Sequence, residues 1–190
     1  MAAVFAALLA LGRKENGMKR RILYGVITGL ALVFFAAFIF FNSAQSGEDS
    51  AKRSGKISET VAVIFVPGFR EMPEEERSQV LTRVDGTVRK CAHMAEFMML
   101  AFAVTLFMRT FSKKPLLCGG GAFIFSAAAA AADEWHQSFV MGRGAEITDV
   151  LTDCGGALLG AALGALLLAL AHRLFDYLIS PREKRVKNPE

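Results

Sequence analysis

The sequence predicts an all-α fold, an integral membrane bundle of four transmembrane helices with short outer surface helices. Hydrophobic residues are 53% of the 190-residue chain and charged residues 21%, and the mean hydropathy is +0.37. Soluble domains run at about 45 to 50% apolar with glycine counted, and here 17 glycines come on top. The apolar residues are gathered into four long runs, and Lys and Arg gather at the flanks of those runs. A disordered tail, a disulfide scaffold and a collagen-like repeat are excluded by the same composition.

Residues 22–41 carry no charge, and 20 residues at 1.5 Å rise cross a hydrocarbon core of about 30 Å. Further runs over about 91–111, 116–136 and 149–175 are apolar on all sides, as Ala127–Ala132 and Leu166–Leu168 illustrate, which marks membrane spans rather than soluble amphipathic helices. Residues 1–17 open with 12 apolar positions, too few to span, and no small-residue cleavage site precedes the charges from Arg13 to Arg21. They read as a leader or a mis-assigned start, with Met18-Lys19-Arg20-Arg21 as the ordinary beginning of a membrane protein. The membrane domain is then 18–176 and a basic tail follows over 177–190.

Short Lys/Arg-rich flanks face the cytoplasm. Such flanks precede the first span, separate the second from the third at Arg109, Lys113 and Lys114, and follow the fourth. Four spans put all three on one side, so the protein is read as a multi-pass cell-membrane protein with both termini cytoplasmic. Sorted in this way, the net charge of +4 separates into 13 basic and 4 acidic residues inside, and 9 basic and 14 acidic outside.

The outer connection, 42–90, is too long to lack structure in a compact protein. Gly47–Val66 carries Val61, Ala62, Ile64 and Phe65 before the Pro67-Gly68 break, and reads as a short helix or a solvated loop. Pro73 followed by Glu74, Glu75 and Glu76 opens a second helix with Val80, Leu81 and Val84 as its stripe, because Pro suits the first turn and carboxylates complement the positive end of the dipole. These helices are expected on the outer membrane surface or capping the bundle.

Ionisable groups within spans point to function by default. They form three clusters: Arg89, Lys90, His93 and Glu96; Asp133, Glu134, His136 and Gln137; and Arg143, Asp149 and Asp153. Each lies at the outer end of its helix in the topology above. Within clusters, spacings of three or four put His93 with Glu96, Asp133 with His136 and Gln137, and Asp149 with Asp153 on shared faces. The Met94, Met98 and Met99 stripe reads as packing.

The string Arg89-Lys90-Cys91-Ala92-His93-Met94-Ala95-Glu96-Phe97, then Asp133 through Phe139, Gly142-Arg143, Asp149 and Gly155-Gly156, resembles the VanZ-like family of small bacterial membrane proteins. Ser43-Ala44-Gln45-Ser46-Gly47 fits the Ser-x-Gln turn of that family, and the resemblance runs over roughly 18–170. Phe97 stands where the family commonly has Tyr, Met141 where it often has Pro, and Asp153 where Asn is frequent. The resemblance implies a role in resistance to lipoglycopeptides of the teicoplanin type.

One reading of the clusters is acid/base or metal-assisted chemistry on a lipid-linked substrate. His93, Glu96, Asp133, Glu134 and His136 are then the candidate catalytic groups, and His93, Glu96, Asp133 and His136 a mixed N/O set for a divalent metal ion. Ser43, Gln45, Arg89, Lys90, Gln137, Arg143, Asp149 and Asp153 would bind the substrate, with the Arg143 fork on a phosphate or carboxylate. A second reading is binding of an anionic headgroup, a cell-wall precursor or an antibiotic without chemistry. A third, proton-coupled transport, is disfavoured because the inner halves of the spans are apolar. A structural polar network in which Arg143 and Lys90 neutralise Asp133, Glu134 and Asp149 is the alternative to all three. Gly156, Gly160 and Gly164 recur every four residues, a small-residue stripe for packing within the bundle or for a homodimer. Cys91, Cys118 and Cys154 form no disulfide framework, and nucleic-acid binding is unsupported because the basic residues are membrane flanks.

Overall fold

The structure is a computed structural model that describes residues 17–187; the expected leader, apart from Gly17, lies outside the described residues. Among these residues the chain forms five α-helices and one 3-10 turn, with no strand: α1 Gly17–Ser43, α2 Gly47–Phe65, the turn Phe69–Glu71, α3 Glu74–Met108, α4 Pro115–Gln137 and α5 Ile147–Lys187. Four of them, α1, α3, α4 and α5, are long and apolar enough to cross a membrane.

The central helix is α3, which packs against each of the others. Against α5 the approach is closest. A Cβ on Gly156 or Gly160 would run into the carbonyl oxygen of Met94 or Met98, and one on Gly164 would meet the Thr105 side chain at 2.8 Å. Lipid tails are as apolar as Leu, so helices in a bilayer associate through such close packing rather than through a hydrophobic drive. The glycine face is therefore covered by α3 within the chain, and a homodimer through Gly156, Gly160 and Gly164 would require that face to be vacated. Gly119 meets Ala161 and Ala165 in the same manner between α4 and α5.

Helix α1 is peripheral. Tyr24, Thr28, Ile39 and Ser43 are its buried residues, at multiples of a helical turn, while Leu23, Leu30, Phe34 and Phe41 are exposed on the remaining faces. The core between α1, α3, α4 and α5 is built from Ile39, Phe97, Leu100, Val104, Ala122, Ala130, Ala157 and Ala161.

The connection between the first two spans differs from the expected short surface helices. Its first part is a 19-residue helix, not a loop. Ser46 caps it, its hydroxyl accepting from the Asp49 amide at 3.2 Å while donating to the Asp49 carboxylate at 2.8 Å, with Glu48 and Asp49 in the first turn. Its second part opens at Pro73 as anticipated, but does not end before the membrane. It continues into the span as one helix of 35 residues, about 52 Å long at 1.5 Å per residue against a hydrocarbon core of about 30 Å. No proline interrupts 74–108, and the charges near the boundary are paired rather than helix-ending.

Helices α2 and α3 thus form a hairpin that reaches beyond the membrane-spanning bundle. Buried Ser54, Ser58 and Ala62 let α2 lie close to α3. The Ser54 and Ser58 hydroxyls donate to Asp85, and Arg89 stands 3.2 Å from the same carboxylate. At the tip Gly68 takes φ 70°, a left-handed turn that glycine allows at no steric cost. Phe69 is buried there, with the Arg77 guanidinium 5.2 Å from its ring centre.

Candidate functional site

The three polar clusters do converge. A cavity of about 420 Å³ opens at the end of the bundle where the hairpin stands, between the end of α1, the hairpin, the membrane-proximal turns of α3 and the starts of α4's following loop and α5. Gln45, Arg89, Lys90, His93, Glu96, Glu134, Gln137, Arg143, Asp149 and Asp153 all line it. Ser43, Asp133 and His136 do not.

A hydrogen-bonded chain fixes one wall. Buried Asp133 accepts at Oδ2 from the Ser43 hydroxyl at 2.8 Å and from Gln137 Nε2 at 2.7 Å. Gln137 lies one turn further along α4, and its Oε1 accepts from Arg143 Nη1 at 2.8 Å. Ser43 and Asp133 therefore work from behind: they fix the amide that holds the guanidinium. Asn42 completes this wall, its carbonyl accepting from Arg143 Nη2 at 3.4 Å and its side-chain amide donating to Glu96 Oε1 at 2.8 Å.

The opposite wall is spanned by charge pairs. Lys90 of α3 binds Asp149 of α5 and stands 3.5 Å from Glu146. Glu134 accepts from the Glu146 backbone amide at 2.6 Å, which ties the loop 138–146 to the end of α4. Between the walls, His93 Nδ1 lies 3.9 Å from Asp153 Oδ2, and Asp153 is only 2% exposed.

Arg143 is unusual in meeting only neutral acceptors, Gln137 and the Asn42 carbonyl. Burial, with Arg89 close by, pulls its guanidinium below the usual arginine value. Among the described residues its Nε and the Oε2 of Glu96 are buried without a hydrogen-bond partner, as are Arg89 Nε and His136 Nε2. Buried polar atoms are ordinarily satisfied, so these are the open positions at this end of the bundle.

The four residues named as a metal set do not fit one. The imidazole of His136 stacks on Phe40, with ring centres 5.2 Å apart, outside the cavity. Asp133 is committed to Ser43 and Gln137. Among the described residues no group of three or more His, Cys, Asp or Glu is arranged to hold a metal ion. His136 thus makes a ring contact and Asp133 positions Gln137, and neither joins a metal set.

Sequence reasoning missed Asn42, Glu146 and the Ser54–Ser58–Asp85 contact behind Arg89. Asn42 carried a signal, as the polar residue that ends the first apolar run beside Ser43. Glu146 sits in an irregular loop, and spacing rules do not reach it.

A family model described as VanZ/LLP1 matches residues 28–169. No curated protein and no solved structure matches the chain.

Proposed function

The chain is a member of the VanZ/LLP1 family, and on that premise we propose that it is a multi-pass membrane protein whose cavity recognises the head of a cell-envelope lipid or lipid-linked precursor at the outer leaflet, and so alters susceptibility to glycopeptides of the teicoplanin type. The observation that carries the reading is the cavity of about 420 Å³ at the hairpin end, with Arg143 turned to neutral partners only. That end is the outer one by the distribution of Lys and Arg, since Arg21, Arg109, Lys113, Lys114 and Arg173 all lie toward the other. Exposed Trp135 and Phe139, stacked edge to face at 5.4 Å, together with exposed Phe41, suit the membrane interface beside the cavity mouth.

In this reading the lipid tail stays in the leaflet while the polar head enters between α1 and α5. Arg143 meets an anionic oxygen, by the planar fork that suits phosphate and carboxylate. His93 is the group placed for proton transfer, with Asp153 behind it, where recognition is followed by modification of the head. The test is complementation: a susceptible strain carrying this chain should show raised tolerance to teicoplanin, lost in Arg143→Ala. Folded Arg143→Ala and Asp133→Asn proteins that protect as well as the parent would refute the polar site. Lipid mass spectrometry on the same strains separates modification, seen as a changed headgroup, from recognition alone.

A further inference from the structure

The cavity's charges divide into those already satisfied and those left open. Lys90 is taken by Asp149 and Glu146 and Glu134 by the Glu146 amide, while Arg89 has its charge paired with Asp85 although its Nε makes no hydrogen bond among the described residues. Left open on the cationic side are Arg143, which has no carboxylate within ion-pair distance, and Arg53 at the hairpin. On the anionic side, Glu96 is only 8% exposed and receives one hydrogen bond, from Asn42, so that its Oε2 has no partner. Asp153, more deeply buried still, has only His93 at 3.9 Å.

Asn42 holds the two kinds of open charge side by side, its carbonyl on Arg143 and its amide on Glu96, without the two forming an ion pair. A ligand with a single negative charge would satisfy Arg143 and leave two buried carboxyl groups facing it. A ligand with one negative and one positive group would satisfy both sides, and burial of a charge is sustained only where it is paired.

The chemistry of the positive group is also constrained. Glu96 Oε2 accepts hydrogen bonds, which a quaternary ammonium cannot donate. Methylated ammonium groups are held by cages of Trp, Tyr and Phe, and none of these lines this cavity among the described residues. The ammonium must therefore carry N–H.

Resting on the headgroup reading above, we propose that the cavity selects a zwitterionic head in which a phosphate lies against Arg143 and an N–H-bearing ammonium against Glu96 and Asp153. Phosphoethanolamine lipid carries this pair of groups, and so does free O-phosphoethanolamine.

The full chain, purified in detergent, is titrated by native mass spectrometry with phosphatidylethanolamine, phosphatidylglycerol and phosphatidylcholine of identical acyl chains. The ethanolamine lipid should bind at least tenfold more tightly than either of the others. Glu96→Gln combined with Asp153→Asn should bring it down to the level of the glycerol lipid, whereas Arg143→Gln should weaken both. Soluble O-phosphoethanolamine should compete and glycerol 1-phosphate should not. Equal binding of ethanolamine and glycerol lipids, a preference for choline, or competition by both soluble phosphates overturns the zwitterion while leaving a lipid-head site. Absence of binding by all three lipids overturns the headgroup reading together with it. The ranking of the three lipids on the unmodified protein decides the matter even where the double variant fails to fold.

Discussion

At the end of the bundle where the described chain begins, buried polar groups find backbone carbonyls. The Tyr24 hydroxyl donates to the Leu106 carbonyl at 2.9 Å and Thr28 to that of Tyr24 one turn back at 2.8 Å, and the exposed Arg21 gives its Nε to the Thr110 carbonyl at 2.8 Å, although the Thr110 hydroxyl has no hydrogen-bond partner among the described residues. At the hairpin end the buried groups include the charged side chains of Glu96, Asp133, Glu134 and Asp153 from three different helices, with Arg143 in the loop before α5, and Glu96 and Arg143 keep atoms with no hydrogen-bond partner among the described residues. The contrast separates groups that serve packing from those on which the proposed binding rests. A neutral hydroxyl on a carbonyl one turn away is satisfied by the helix itself. A buried carboxyl or guanidinium needs a partner from elsewhere, and here part of that partner is missing from the chain.

The largest test of this comparison acts on neither end but on the seam that joins them. Gly160→Val would drive a side chain into the Met98 carbonyl, which is backbone and cannot rotate away. Overpacking typically costs 1 to 3 kcal/mol; with the α3 and α5 backbones forced apart, about 3 kcal/mol or more is expected, read as loss of the folded species in thermal melts in detergent. Gly155→Val, one residue before Gly156, has nothing within 4 Å of its Cβ and should melt near the parent. Equal effects at both positions would break the argument that the glycine stripe is spent within the bundle.

Next in size is Asp133→Ala at the hairpin end. Asp133 accepts from two donors at one oxygen, and the loss of a buried acceptor of this kind costs about 1 to 3 kcal/mol. The functional loss should exceed what the melt accounts for, because Gln137 then no longer fixes Arg143. Ser43→Ala removes one of the two donors and should give the same result in weaker form. A variant that melts lower but protects cells in full would make Asp133 purely structural.

At the other end, Tyr24→Phe removes one hydroxyl. The Leu106 carbonyl keeps a second donor in the Arg109 amide at 3.2 Å, so no buried acceptor is orphaned, and the change should cost about 0.5 to 1 kcal/mol with no effect on teicoplanin tolerance. Loss of tolerance in a well-folded Tyr24→Phe protein would show that the ends are coupled.

The two ends were also unequally legible in the sequence. The spans and the three polar clusters could be read directly, because the runs are long and uncharged and because His93, Glu96, Asp133 and Arg143 stand out against apolar neighbours. Which member of a helical pair faces the cavity is not legible: Asp133, His136 and Gln137 are compatible with one face, yet Gln137 lines the cavity, Asp133 lies behind it and His136 rests on Phe40. That choice depends on where α1 packs, a tertiary fact. The continuity of α3 from Glu74 was hidden for a related reason. The charged stretch Arg83–Lys90 looks like a connection until Asp85 and Asp149 supply its partners from within α3 itself and from α5.

The smallest effect is expected at the cavity mouth, where Lys90→Ala removes the bond to Asp149 and the approach to Glu146. The side chains of Lys90 and Asp149 are 44% and 32% exposed, and pairs in such surroundings are worth about 0 to 1 kcal/mol and are weakened by salt. The melting temperature should therefore fall slightly at low ionic strength and coincide with the parent at high ionic strength. The effect on binding has the opposite logic from that at Arg143. Releasing Asp149 adds an open carboxylate beside Asp153, so an N–H-bearing ammonium should be tolerated as well as before while a purely anionic head is bound less well. A Lys90→Ala protein that loses both kinds of head equally would place Lys90 on the phosphate beside Arg143, and would redraw the division between satisfied and open charges from which the two ends were contrasted.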